Sequence, residues 1–190
     1  DNFAEGVRHL EVRFAPQLHI NDTLSYGDVM LAVDRGLKRA TEEINDSMEA
    51  DEPPFDYGII VIAMRFFAAN FSEYYRRLFE VHPYSDSSDI IKLASLELAK
   101  ATVRLREESD VRIVGFDLAG SESGYPAKDH EEAFDYVHEH FLNKTVHAGE
   151  AYGPESIFQA ITKLHADRIG HALRLFDPEH IRDEKIEDRK

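Results

Sequence analysis

The sequence predicts an α/β protein built on a parallel β-sheet, and three observations carry that prediction. Short apolar runs alternate with segments of helical period along the chain, the signature of successive βαβ units. One of these runs, Tyr57–Met64, is apolar at nearly every position, as a parallel strand covered on both faces requires. Polar residues then gather at the C-terminal ends of later runs, where α/β folds place their ligand sites.

The elements follow in order. Val7–Phe14 alternates as a strand, with Leu10, Val12 and Phe14 facing one way and His9, Glu11 and Arg13 the other, and Pro16 ends it. From Gly27 to Met48, the positions Met30, Val33, Leu37, Ala40, Ile44 and Met48 form one helical stripe. Asp51-Glu52-Pro53-Pro54 reads as a turn before the Tyr57–Met64 strand. A polar loop is expected next, then a long helix marked by Ile90, Ala94, Leu98, Ala101 and Leu105. Val111–Leu118 is the third strand, and Ala133, Phe134, Val137 and Phe141 mark a helix. Thr145–Ala148 is the fourth strand. Pro154 suits a first helical position ahead of Ile157, Phe158, Ile161 and Leu164. Arg168–His171 is a short fifth strand.

Composition narrows the function. The 190 residues hold 22 Lys+Arg against 37 Asp+Glu, a formal charge of −15, which disfavours nucleic acid and anionic membrane surfaces as partners. No apolar run approaches the roughly 20 residues that span a bilayer, and no signal-peptide pattern opens the chain. The absence of cysteine excludes disulfides and leaves any metal to histidine and carboxylates. The expectation is a soluble, cytoplasmic, acidic globular domain spanning 1–190.

Three strand ends carry candidate chemistry. Thr145-Val-His147-Ala-Gly-Glu150 sets an imidazole at a strand end, a glycine that lets the backbone turn, and a carboxylate three residues on. Such a segment can supply both a neutral metal ligand and a nearby acid or base; the plainer reading is a buried histidine and a solvated turn glutamate. Arg168-Ile-Gly-His171-Ala places a second histidine after an apolar run, and on its own reads as a hydrogen-bonded core residue. Asp117, followed by Leu118-Ala119-Gly120-Ser121-Glu122, reads in isolation as a turn aspartate holding backbone donors. His138-Glu139-His140 is no metal pair, because i and i+2 on a helix point about 200° apart. Glu11 and Arg13 read as an ion pair within the sheet. His9, His19, His82, His130, His165 and His180 are expected at the surface.

Taken together, Glu11-Val-Arg-Phe-Ala-Pro-Gln-Leu-His19, Val114-Gly-Phe-Asp-Leu-Ala-Gly120, Thr145–Glu150 and Arg168–His171 resemble the adenosine deaminase family of metal-dependent aminohydrolases, in the family's order and over nearly the whole chain. The resemblance implies a TIM-type (β/α)8 barrel of which this chain holds the second to sixth strands. The family's first strand, with paired histidine ligands, and its eighth, with further aspartates, have no counterpart, so the chain is expected to be an internal segment. Ala172 stands where the family usually has glycine.

Residue by residue, the resemblance implies that His147 is a zinc ligand and that Glu150 donates a proton to purine N1. It implies that His171 orients or deprotonates the attacking water, that the Gly120 amide contacts purine N3, and that Asp117 is an inward-facing supporting residue. The implied cofactor is Zn2+, and the implied partner a small purine nucleoside. Deamination of adenosine or 2′-deoxyadenosine is the implied activity. A sister deaminase of adenine, AMP or another 6-aminopurine, and a non-catalytic nucleoside-binding protein, stand beside it. Residues 66–84 hold seven of the 20 aromatics, Phe66, Phe67, Phe71, Tyr74, Tyr75, Phe79 and Tyr84. They read either as a short helix packed through Phe71, Tyr75 and Phe79, or as a cap over the substrate pocket or an oligomer contact.

Overall fold

The computed structural model describes residues 2–49 and 51–176. His180 lies outside the described residues. Five strands, β1 (His9–Phe14), β2 (Asp56–Met64), β3 (Ile113–Ala119), β4 (Asn143–Ala148) and β5 (Arg168–His171), form one sheet. They stand in sequence order and every neighbouring pair is parallel. Each such pair needs a crossover. These are α1 (Tyr26–Asp46), then α2 (Glu73–Val81) with α3 (Ser87–Glu108), then α4 (Glu131–Glu139) and α5 (Pro154–Thr162).

Local chemistry explains the helix starts. Ser25 and Asp28 exchange hydrogen bonds in a capping box before α1. Pro154 occupies the first turn of α5, where its missing N–H costs nothing. No described helix is long and apolar enough to cross a membrane.

The core shows which face of the sheet the helices cover. Ile59, Val61 and Ala63 of β2, Phe116 and Leu118 of β3, and Val146 and Ala148 of β4 pack with Met30, Leu98, Val103, Phe134, Val137, Ile157 and Ala160 of the helices. Each large side chain so buried contributes roughly 1.5–3 kcal/mol. By the period of two, Ile60, Asp117, Thr145 and His147 turn to the opposite face. That face is concave. In a flat sheet, four strand spacings of about 4.8 Å would hold β1 and β5 about 19 Å apart. Yet Arg168 of β5 pairs with Glu11 of β1, so the sheet curls as a barrel wall does.

Several boundaries differ from expectation. β1 begins at His9 and β3 at Ile113; within the β2–β3 pair the register shifts at Ile59/Ile60, where Val114 fills the space beside Gly58. The expected polar loop after β2 contains α2. Phe141 is not on the α4 stripe: it lies past the helix end with φ +56° and is 90% exposed. The aromatic segment is a second small core. Tyr75 is wholly buried, its ring stacks on Phe67 at 3.9 Å, and both pack with Ile90, Ile91 and Ala94. Phe71 precedes α2, is 42% exposed, and meets only the edge of Phe66 among ring contacts at 5.8 Å, so the expected three-residue stripe reduces to Tyr75 and Phe79.

Candidate active site

Asp117, wholly buried near the end of β3, organises the concave face. Its Oδ1 lies 3.1 Å from Nδ1 of His147 on β4, and its Oδ2 lies 3.4 Å from the Arg13 guanidinium on β1. Arg13 therefore pairs with Asp117, and Glu11 with Arg168 and His9, so the expected Glu11–Arg13 pair does not form. Two residues apart on one strand face, each finds a better partner across the curled sheet.

Both partners of His147 Nδ1, Asp117 Oδ1 and the Leu118 carbonyl at 3.2 Å, are acceptors, so Nδ1 carries the proton. Nε2 is then the nitrogen free to coordinate. The Asp117 hydrogen bond, outweighing burial, raises the imidazole pKa above its ordinary value. Gly170 of β5 makes room for the ring, since a Cβ there would lie 3.3 Å from two of its carbons.

His171 and Glu150 complete the cluster. The two histidine rings stand 5.3 Å apart, and His171 Nε2 lies 3.4 Å from Glu150 Oε2. The turns that present them use left-handed backbone: Gly149 at φ +75°, His171 at +66° and Ala172 at +54°. At Gly149 a Cβ would come within 2.5 Å of Ile157 Cδ1, so any larger residue must push that side chain aside as well as adopt a left-handed backbone. Gly120, at φ +107°, closes β3 against the backbone of Arg65.

The structure thus brings Asp117, His147, Glu150 and His171 together, with Gly120 on the same rim. It keeps His138 and His140 apart, as the helix geometry requires: His138 stacks on His165 at 4.4 Å and His140 bonds the Tyr136 carbonyl. His130 is not at the surface. It is buried against Ser95 Oγ at 2.7 Å, and burial pushes its pKa down to about 3, so it is neutral.

Two further residues of this rim were not read from the sequence. Arg65, 1% exposed, directly follows β2 and donates to the carbonyls of His147 (2.8 Å) and Tyr125 (2.6 Å). A charge ending an otherwise apolar strand was its signal. Glu122 accepts the backbone N–H groups of Gly149, Glu150, Ala151 and Tyr152 at 2.6–3.1 Å. Nothing local marks it.

Among the described residues no three histidine or carboxylate side chains converge on a metal position. His147 fits one ligand of a metal site, with Nε2 available and a carboxylate fixing the tautomer from behind.

A curled parallel sheet with helices outside and histidine and carboxylate groups at its C-terminal rim is a partial TIM-type barrel with its candidate site where such barrels place theirs. The sequence model of the adenosine deaminase family matches residues 1–189. The chain belongs to that family. An adenosine deaminase of Mycobacterium bovis is 36% identical over 177 residues, which cover 93% of this chain and 40% of that protein. Three solved structures share the fold. An adenine deaminase from Arthrobacter aurescens has a TM-score of 0.64 at 20% identity and covers 98% of this chain and 44% of its own. An amidohydrolase from Burkholderia ambifaria, crystallised with bound Zn, has 0.65 at 18%, covering 93% and 40%. The N6-methyl-AMP deaminase of Arabidopsis thaliana has 0.61 at 23%, covering 92% and 43%. The chain spans about 40% of the length of the curated relatives it matches.

Proposed function

We propose that the whole protein is a zinc-dependent deaminase that hydrolyses adenosine or 2′-deoxyadenosine to inosine and ammonia, and that residues 1–190 carry part of its barrel as one domain. The observation that carries this reading is the cluster of His147, His171 and Glu150 at the C-terminal rim, in a chain of this family.

His147 would hold zinc through Nε2, together with ligands from outside this chain. When bound, zinc supplies hydroxide near neutral pH by acidifying its water. His171 steers or takes the proton of the water that attacks C6. Glu150 gives a proton to N1 as the new bond forms, so that negative charge does not build up on the ring. Gly120 offers its backbone amide to N3, and Asp117 holds His147. Loss of the 6-amino group as ammonia leaves the 6-oxo purine.

A nucleoside is favoured over a nucleotide by composition: a phosphate wants arginine or lysine nearby, and the chain carries a formal charge of −15. The relative at 36% identity is an adenosine deaminase, whereas the adenine and N6-methyl-AMP deaminases are more distant.

The test is steady-state kinetics and metal analysis on the whole protein. Glu150→Gln should lose at least the 10²–10⁴-fold in kcat that general acid catalysis contributes, with zinc retained. His171→Ala should lose kcat with zinc retained, and His147→Ala should lose zinc. Wild-type kcat in Glu150→Gln would remove it as the acid. A higher kcat/KM for adenine or AMP would make the protein a sister deaminase. Nucleoside binding without turnover would make it a binding protein.

A further inference from the structure

Glu122 is 8% exposed and stands at the end of the turn that follows β3, yet every backbone contact of its carboxylate is to the turn after β4. Oε1 accepts from Gly149 (2.6 Å), and Oε2 accepts from Glu150 (3.1 Å), Ala151 (2.7 Å) and Tyr152 (2.8 Å). Ser156 of α5 also favours the charged carboxylate. Consecutive amides pointing into one concavity make an anion nest, and here the anion is a side chain of the chain itself. The buried Arg65 guanidinium, whose other contacts run to the His147 and Tyr125 carbonyls, attracts the same carboxylate.

The segment so fastened is the one that carries Glu150. Its side chain is largely exposed and touches His171, so its direction rests on the backbone beneath it. We propose that Glu122 is a positioning residue: by collecting the amides of residues 149–152 it sets the direction in which Glu150 is presented to the substrate. The proposal rests on the reading of Glu150 as the acid.

Glu122→Gln conserves shape but sets an NH2 group against N–H donors whichever way the amide is turned. In the whole protein kcat should fall about 10- to 100-fold, the scale of an ångström misplacement near reacting atoms, with KM within a few-fold and zinc content intact. Amide hydrogen exchange at Gly149, Glu150, Ala151 and Tyr152 should accelerate. In a Glu150→Gln background the same substitution should cost nothing further, because a misaimed acid cannot be lost twice. Losses that multiply, or unchanged kcat, or unchanged exchange at these amides, would overturn the proposal. Ser156→Ala, which removes the neighbouring hydroxyl and leaves the four amides, guards against a variant that fails to fold. Its loss should be a few-fold and vanish in the Glu150→Gln background; a loss that persists there overturns the proposal. Failure of the acid reading itself shows separately, as wild-type kcat in Glu150→Gln alone.

Discussion

Asp117 and His147, 30 residues apart in the chain, meet at 3.1 Å on the concave face of the sheet, and the carboxylate is wholly buried. The contact fixes the imidazole tautomer and makes the ring a better donor of its second nitrogen. Asp117→Asn preserves the outline and removes the charge. In the whole protein, zinc affinity should fall about 10- to 100-fold, measured by competition with a chelator. Unchanged affinity would mean that Asp117 serves only Arg13.

The two turns should respond oppositely to alanine and glycine. Gly149→Ala combines a left-handed backbone with a 2.5 Å approach to Ile157, and should cost roughly 2–4 kcal/mol. Ala172→Gly relieves a left-handed alanine, and should range from neutral to about 1 kcal/mol stabilising after the entropy of the freer unfolded chain is counted. Denaturant unfolding of both variants decides; a clearly destabilised Ala172→Gly would contradict the backbone argument.

Glu122 makes stability depend on pH. Burial opposes its ionisation, but hydrogen bonds from Ser156 and the amides of Gly149, Ala151 and Tyr152 outweigh burial and depress its pKa. A carboxylate with a depressed folded-state value stabilises above its unfolded value of about 4.3 and loses that contribution as pH falls through the folded value. The Tm gap between the parent protein and Glu122→Gln should therefore be widest near neutrality and close in acid. A gap that widens on acidification would reverse the sign.

Tyr75 belongs to packing. Its ring stacks on Phe67 and its hydroxyl donates to Gln17 Oε1 at 3.0 Å, so Tyr75→Ala should cost about 3–5 kcal/mol, as large-to-small core changes do. Tyr75→Phe should cost about 1–3 kcal/mol for the stranded Gln17 acceptor. In Tyr75→Phe, kcat/KM for adenosine should hold. A drop there with full stability would return this segment to the substrate pocket.

The 190-residue chain expressed alone should neither turn over adenosine nor bind zinc tightly, since His147 is the single zinc ligand proposed within it and catalytic zinc takes about three from protein. Among the described residues β1 and β5 each pair on one side only, and Phe158, Ile161, Leu173 and Phe176 are exposed, so it should also self-associate. Sedimentation velocity and zinc titration are the checks. A sharp monomer with tightly bound zinc would contradict both.

The five strands and the principal helices were legible in the sequence because their signals are local. A strand buried on both faces leaves an unbroken apolar run such as Tyr57–Met64, and a helix lying on a sheet leaves the 3.6 period seen from Met30 to Leu37. Asp117, His147, Glu150 and His171 were legible for the same reason, as polar residues ending apolar strands and matching the motifs of a known family. Register was less so. The shift at Ile59/Ile60 goes with Val114 filling the space beside Gly58, a fit between two strands.

Partnership was not legible at all. Arg13 finds Asp117 104 residues away, Arg168 finds Glu11 157 residues away, and Glu122 finds its amides 27–30 residues on. Local pattern carries hydrophobicity and turn chemistry, which act between near neighbours along the chain. Ion pairs and amide nests depend on distances that exist only after the sheet has curled and its rim turns have closed. For that reason Glu11 and Arg13, adjacent on one strand face, look like partners until the curvature gives each a partner from another strand.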